Sequence, residues 1–128
     1  MNRVFIIAEI GINHNGDIEL AKRLVDEAKS AGCDAVKFQK RSVELVYTPE
    51  DLDRLRESPF GATNREQKLG LEFSKEQYDE IDSHCKQVEI EWFTSCWDLE
   101  SQKFMRQYNH KYNKVASPML TVTPLLHK

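Results

Sequence analysis

The chain has 128 residues, the length of a single domain, and its 40% hydrophobic content is enough to form a core. Its formal net charge of −3 gives no indication of a nucleic-acid-binding surface, and no apolar run is long enough for a membrane span or an export signal. Three scattered cysteines, Cys33, Cys85 and Cys96, show neither zinc spacing nor a disulfide framework, so the sequence predicts a cytoplasmic protein.

The first predicted element is a strand whose residues 4–8 are all apolar, as in a strand that is buried on both faces. Glu9 follows this run, and a polar loop containing Gly11 and Gly16 comes next. Because a carboxylate at the end of a buried strand is costly to desolvate, we expect the protein to use Glu9 in a functional site.

A helix and a second strand follow this loop. Asp17 is placed to cap a helix with apolar residues at helical spacing, and Gly32 is placed to end it. The second strand, residues 34–39, ends with Lys37 and Gln39. These two side chains lie on the same face of the strand because strand side chains alternate.

Residues 41–73 form a long excursion in place of a direct helix. Thr48 is predicted to cap a short helix that ends near Ser58, and a capping box at Thr63 predicts another short helix.

Two further units then repeat the alternation of helix and strand. The predicted helix caps are Ser74, Asp98 and Thr123, and the predicted strands begin near Glu91 and Tyr112.

Alternating strands and helices with short connections predict a parallel sheet. Polar residues at the carboxyl end of every strand favour a (β/α)8 TIM barrel over an open doubly wound sheet, because the active site of a barrel lies there. A complete barrel takes roughly 250 residues, so these residues are expected to supply about its first four βα units. The polar strand-end residues are Glu9, Lys37, Gln39, Ser95, Lys114 and Ser117.

Five short motifs follow one another along the chain: AEIGINHNG, VKFQ, LEFS, FTS and KVAS. In this order they resemble the N-terminal half of the sialic acid synthases, N-acetylneuraminate synthase and its relatives, over residues 4–126. The pairing of the first two motifs at this spacing is specific, whereas FTS or KVAS alone would be weak.

The resemblance implies a TIM barrel followed by a small antifreeze-like domain, with the second half-barrel and that domain outside residues 1–128. It implies condensation of phosphoenolpyruvate with an N-acetylated hexosamine such as N-acetylmannosamine, which gives a nine-carbon 2-keto acid and phosphate. It also implies a homodimer and a divalent metal, Mn or Mg, whose ligands are not in this chain.

The resemblance further implies a role for each strand-end residue. Lys37 and Lys114 would hold the phosphate and carboxylate of phosphoenolpyruvate. Glu9 would orient the reacting groups or exchange a proton near the aldehyde, a role that a buried carboxylate favours. The candidate substrate-binding residues are Ser95 and Ser117 for phosphoenolpyruvate, Gln39 for the sugar, and Asn13 and His14 at the same mouth.

Two positions depart from the family pattern. Met119 stands where many relatives have an acidic residue, which leaves legionaminate-type and other 2-keto sugar products open. Thr94-Ser95-Cys96 replaces the usual Ser-Thr-Pro and keeps a hydroxyl at the matching position.

Other reactive or aromatic side chains have plainer interpretations. His14 is interpreted as a hydrogen-bonding residue of its loop rather than a metal ligand. Cys96 is interpreted as an inert thiol because no histidine is placed to activate it. Trp92 and Trp97 are predicted to pack against the outer helices.

Two other functions remain open at this point. A Schiff-base aldolase could use Lys37 or Lys114 to form an imine. A non-catalytic half-barrel that serves in assembly or regulation is the third hypothesis.

Overall fold

The computed structural model describes residues 2–127. Its six strands are β1 (Ile7–Gly11), β2 (Ala35–Lys40), β3 (Leu55–Ser58), β4 (Gly61–Thr63), β5 (Glu91–Cys96) and β6 (Lys114–Val115). Its α-helices are α1 (Ile18–Ser30), α2 (Val43–Val46), α3 (Pro49–Asp53), α4 (Asn64–Gly70), α5 (Lys75–Val88), α6 (Leu99–Met105) and α7 (Thr123–Leu126). Short 3-10 helices occupy Arg106–Tyr108 and Ser117–Met119.

Four of these strands form one parallel sheet in the order β1-β2-β5-β6, which is their order along the chain. Helix α1 connects β1 to β2, α5 leads into β5, and α6 connects β5 to β6. The predicted parallel sheet and four consecutive βα units are therefore confirmed. The carboxyl ends of all four strands meet at one end of the sheet.

Each long helix begins at the residue that the sequence predicts. The Asp17 carboxylate accepts hydrogen bonds from the backbone amides of Glu19 and Leu20. Ser74 and Gln77 form a capping box at the start of α5, and the Asp98 side chain accepts from the Ser101 amide. These side chains satisfy amides that would otherwise lack a partner in the first turn of each helix.

The core lies between the sheet and helices α1 and α5. Val36 and Phe38 of β2 and Trp92 of β5 face the helices and are buried. Tyr78 of α5 is 1% exposed, stacks on Trp92 at a centroid distance of 5.9 Å and donates a hydrogen bond to the Gln39 carbonyl at 3.2 Å. This contact fixes α5 against the carboxyl end of β2.

The first strand differs from its prediction. It begins at Ile7 rather than at residue 4, and the side chains of Val4, Phe5, Ile6 and Ile7 are exposed. The expectation of burial on both faces is wrong because β1 is an edge strand, paired only with β2 among the described residues.

The excursion after β2 also differs from its prediction. The helix that begins after Thr48 ends at Asp53, and the residues that follow form a hairpin of strands β3 and β4. The capping box at Thr63 is confirmed: its hydroxyl accepts from the Glu66 amide, and the Glu66 carboxylate accepts from the Thr63 amide. The hairpin forms a small sheet of its own, separate from the four-stranded sheet.

The apolar edge has a consequence for residues 1–128 expressed alone. We expect them to self-associate, because within residues 2–127 one edge of β1 has no partner strand and the neighbouring side chains Val4, Phe5 and Ile6 are exposed. Size-exclusion chromatography with light scattering measures the oligomeric state. A monodisperse monomer that unfolds cooperatively would contradict this expectation.

Candidate active site

The register of the sheet places the predicted strand-end residues side by side. Glu9 of β1 lies opposite Lys37 of β2, and Gln39 of β2 lies opposite Ser95 of β5. Ser95 in turn lies opposite Lys114 of β6. Side chains at paired positions of a parallel sheet point to the same face, so these residues share the face opposite to the helices.

Lys37 is the centre of this group. Its ammonium forms an ion pair with the Glu9 carboxylate and donates a hydrogen bond to the Ser95 hydroxyl at 2.9 Å. The Lys37 side chain is 14% exposed, whereas that of Glu9 is 56% exposed. The expectation of a buried Glu9 is therefore wrong: more than half of its side chain is exposed, although its carboxylate pairs with Lys37 of the neighbouring strand.

These residues line an open pocket of about 210 Å³ at the carboxyl end of the sheet. The Lys114 ammonium, at one side of the pocket, donates a hydrogen bond to the Val115 carbonyl at 2.9 Å. Two lysines and two hydroxyls against one carboxylate make the pocket suited to an anion. The lining residues are Glu9, Lys37, Gln39, Ser95, Trp97, Lys114, Ala116, Ser117 and Pro118.

Trp97 is a pocket residue that the sequence analysis missed. It was predicted to pack against the outer helices, and in the structure it lines the pocket instead. It also lies 6.4 Å from the Tyr47 ring, and its buried indole nitrogen has no hydrogen-bond partner within residues 2–127. The sequence could have indicated this position, because Trp97 lies two residues after Ser95 and strand side chains alternate, so both point to the pocket side.

Cys96 points to the other face of β5. It is buried, and burial raises the pKa of its thiol. The Thr94 hydroxyl lies 3.3 Å from its sulfur. A thiol held in its neutral form is a poor nucleophile, as the interpretation of an inert cysteine requires.

Asn13 and His14 lie outside this pocket. His14 is 2% exposed, its ring stacks on Phe73 at 4.0 Å, and its Nδ1 accepts a hydrogen bond from the Gly16 amide at 3.0 Å. The Asn13 side chain donates to the Ile10 carbonyl at 2.9 Å. Both residues therefore shape the loop after β1, and His14 acts as the local hydrogen-bonding residue that the sequence indicates.

The buried His14 predicts a pH dependence of stability. Burial lowers its pKa to about 4, whereas an unfolded histidine titrates near 6.5. Since the unfolded chain takes up the proton first, the contribution of His14 to stability is complete above about pH 6.5 and is lost as the pH falls towards 4. We expect His14→Asn, which cannot titrate, to lose less stability than the wild type between pH 7 and about pH 5.

Urea unfolding at the two pH values measures this difference. His127→Asn, at an exposed histidine, is the control and should keep the wild-type pH dependence. If the curves of His14→Asn and wild type stay parallel, His14 does not carry the effect.

No group of three or more histidine, cysteine, aspartate or glutamate side chains within residues 2–127 is arranged to hold a metal ion. The described helices include none that is both long and apolar enough to cross a membrane.

Comparisons with known proteins agree with this geometry. The chain is 41% identical to N-acetylneuraminate-9-phosphate synthase of Drosophila melanogaster, over all of this chain and 35% of that protein. It is 36% identical to N,N'-diacetyllegionaminic acid synthase of Legionella pneumophila, over 95% of this chain and 35% of that protein. The solved structure of N-acetylneuraminic acid synthetase from Leptospira borgpetersenii in complex with citrate matches with a TM-score of 0.77 at 30% identity, over 98% of this chain and 40% of that chain.

The chain thus spans about 35% of the length of the curated relatives that it matches. Its four βα units are part of a TIM barrel, as predicted. The NeuB family profile matches residues 24–128. With this match added to the strand-end motifs and the fold, the chain belongs to the NeuB family, the family of the sialic acid synthases.

Proposed function

We propose that the intact protein containing this chain condenses phosphoenolpyruvate with an N-acetylated hexosamine, forming a nine-carbon 2-keto sugar acid and releasing phosphate. The observation that carries the proposal is the contact of Lys37 with both Glu9 and Ser95, next to Lys114, in one pocket at the carboxyl ends of the strands. Relatives named as N-acetylneuraminate-9-phosphate and diacetyllegionaminic acid synthases support the same class of product.

Phosphoenolpyruvate carries a phosphate and a carboxylate, and the pocket offers cations and hydroxyls for both. Lys37 and Lys114 would supply the charge, while the hydroxyls of Ser95 and Ser117 would donate hydrogen bonds. Fixing both ends of the enol orients its C3 towards the second substrate and lowers the entropic cost of the encounter.

The reaction forms a carbon–carbon bond and a carbon–oxygen bond from water, and it breaks the carbon–oxygen bond to phosphate. The two protons of the water go to the aldehyde oxygen and to the departing phosphate. C3 of the enol attacks the C1 aldehyde of the open-chain sugar, water adds at C2, and phosphate leaves as C2 becomes a ketone. The aldehyde oxygen gains a proton and becomes a hydroxyl. We propose that Glu9, which is exposed and paired with Lys37, orients or exchanges this proton, and that Gln39 contacts the sugar; the position of both residues in the Lys37 pocket supports these roles.

We also propose that activity needs a divalent metal, Mn or Mg, and that the intact protein is a homodimer. A bound divalent cation would polarise the aldehyde as a Lewis acid. The described residues contain no cluster of three histidine, cysteine, aspartate or glutamate side chains that could hold a metal ion. We therefore propose that the metal ligands lie outside these 128 residues.

Phosphate release from phosphoenolpyruvate, measured with and without N-acetylmannosamine and Mn, tests the proposal on the intact protein. We expect release only when sugar and metal are both present, together with a product whose mass equals phosphoenolpyruvate plus sugar plus water minus phosphoric acid. Release without sugar, or no release with any N-acetylated hexosamine, would overturn the proposal.

The aldolase hypothesis makes a different prediction. Imine formation needs an amine with a free lone pair, and Lys37 is instead an ion-paired hydrogen-bond donor. Borohydride treatment in the presence of pyruvate should therefore leave the protein mass unchanged. A covalent adduct at Lys37 or Lys114 would favour the aldolase. A protein that forms no adduct and also releases no phosphate would favour the non-catalytic half-barrel.

A further inference from the structure

The Asp98 carboxylate joins two neighbouring loops at the carboxyl end of the sheet. Asp98 lies two residues after β5, and it accepts hydrogen bonds from the Ser42 amide at 2.6 Å and the Ser42 hydroxyl at 2.9 Å. Ser42 lies two residues after β2. The cap of α6 needs only the bond from the Ser101 amide at 2.8 Å, so the bonds from Ser42 serve a different purpose. They tie the loop after β5 to the loop after β2.

A carboxylate is the side-chain group that pairs with all of these donors. One Asp98 oxygen accepts from the Ser42 hydroxyl and the Ser101 amide, and the other accepts from the Ser42 amide and the Ser101 hydroxyl. Each oxygen thus faces one backbone amide, and an asparagine would turn its NH2 group towards one of those amides. Ser101 is 0% exposed, so its hydroxyl has no water within reach if the acceptor is lost.

The residue before Asp98 is Trp97, which lines the pocket that contains Lys37. The Trp97 amide donates a hydrogen bond to the Lys40 carbonyl at 3.1 Å, which continues the pairing of β5 with β2. The centre of the Trp97 ring lies 5.9 Å from the Arg41 guanidinium carbon. The position of the indole therefore depends on the loop after β2 as well as on β5.

Trp97 is the only aromatic residue that lines this pocket within residues 2–127. Its indole forms an apolar wall, and the two lysines and two hydroxyls form the polar part of the lining. Such a wall excludes water from part of a bound anion and thereby strengthens the attraction of the anion to the ammonium groups. A displaced indole would leave the pocket wetter and the anion less tightly held.

We infer that Asp98 is a positioning residue of the candidate site. Through Ser42 it fixes the loop after β5 against the loop after β2, and it thereby holds Trp97 in place as a wall of the Lys37 pocket around phosphoenolpyruvate. This inference rests on the proposed function. Asp98 is not a lining residue of the pocket, so it acts on the substrate only through its neighbour.

Fluorine NMR of the intact protein labelled with 5-fluorotryptophan tests the placement of the indole directly. The resonance that disappears in Trp97→Phe is that of Trp97. We expect this resonance to shift or broaden in Asp98→Ala, in Asp98→Asn and in Ser42→Ala. The Ser42 variant removes a single side-chain bond to Asp98, so it keeps the test available if the Asp98 variants do not fold.

Asp17→Ala is the matched control for these variants. Asp17 also caps a helix with its carboxylate, and it does not line the pocket. Loss of this cap lowers stability as loss of the Asp98 cap does. The Trp97 resonance of Asp17→Ala should nevertheless coincide with that of the wild type, because no bond between the loops after β2 and β5 is removed.

The affinity for phosphoenolpyruvate, titrated alone, is the second measurement. We expect the Kd to rise about tenfold in Asp98→Ala and Asp98→Asn, and about threefold in Ser42→Ala. It should stay within about twofold in Asp17→Ala. Since Ser42 acts through Asp98, adding Ser42→Ala to Asp98→Ala should raise the Kd no further.

The outcomes separate this inference from the proposed function. Binding of phosphoenolpyruvate that depends on Asp98, without phosphate release, would leave the inference standing while the proposed function fails. An unchanged Trp97 resonance or an unchanged Kd in the Asp98 and Ser42 variants would overturn the inference, and phosphate release by the wild type would still support the proposed function. No binding by the wild type, or equal effects in Asp17→Ala and Asp98→Ala, would also overturn the inference.

Discussion

Replacing Lys37 with methionine is expected to lower the rate of phosphate release by at least about a hundredfold. Methionine keeps most of the length of the side chain and removes the charge. The pocket then loses the cation that contacts Ser95, and the Glu9 carboxylate is left to repel the anionic substrate. Under the proposed function, both effects act where phosphate would depart with developing negative charge.

Lys40→Met is the matched control for this experiment. Lys40 lies three residues further along β2, on the helix side of the sheet, with its ammonium 4.6 Å from the centre of the Phe104 ring. We expect this variant to retain near wild-type turnover, because the charge it removes lies outside the pocket. Comparable turnover in Lys37→Met and wild type would contradict the assignment of Lys37 to the active site.

Replacing Glu72 with leucine is expected to lower the free energy of unfolding by about 3–5 kcal/mol. The Glu72 carboxylate accepts a hydrogen bond from Arg41 Nε at 2.9 Å, and the two side chains are only 12% and 5% exposed. Arg41 also donates to the Tyr47 hydroxyl at 2.7 Å. Removing the carboxylate would leave a buried guanidinium without its counter-charge at the end of β2.

Glu44→Leu gives the comparison at the surface. Glu44 accepts from Arg65 at 2.7 Å, and its side chain is 59% exposed, so its loss should cost no more than about 1 kcal/mol. The double variant Arg41→Met with Glu72→Leu should recover much of the lost stability, since no unpaired charge remains. Urea unfolding measures all four proteins, and equal losses for Glu72→Leu and Glu44→Leu would contradict the assignment of a buried pair.

The features that the sequence predicts correctly depend on local chemistry. Ser74 and Gln77 form the expected capping box because both partners lie within one turn of helix. Lys37 and Gln39 share a face because strand side chains alternate, and this holds whatever surrounds the strand. The side-by-side placement of the strand-end residues follows from the same rule, combined with the order of strands in a parallel sheet.

The features that the sequence does not predict depend on distant contacts. The hairpin at residues 55–63 has no alternating apolar pattern, and its first strand is almost wholly exposed. Part of its support comes from Glu66, whose carboxylate accepts from the backbone amides of Ala62 and Thr63. The exposure of Glu9 depends on which strand lies beside β1, and no pattern within β1 encodes its neighbour.

The separation of the hairpin from the main sheet affects how this protein can diverge. Strands β3 and β4 pair with each other, and the four-stranded sheet forms its ladder without them. Substitutions at exposed positions such as Arg56 and Phe60 can change the surface of the hairpin while the register of β1, β2 and β5 stays intact. Selection can therefore act on the hairpin and on the four-stranded sheet independently.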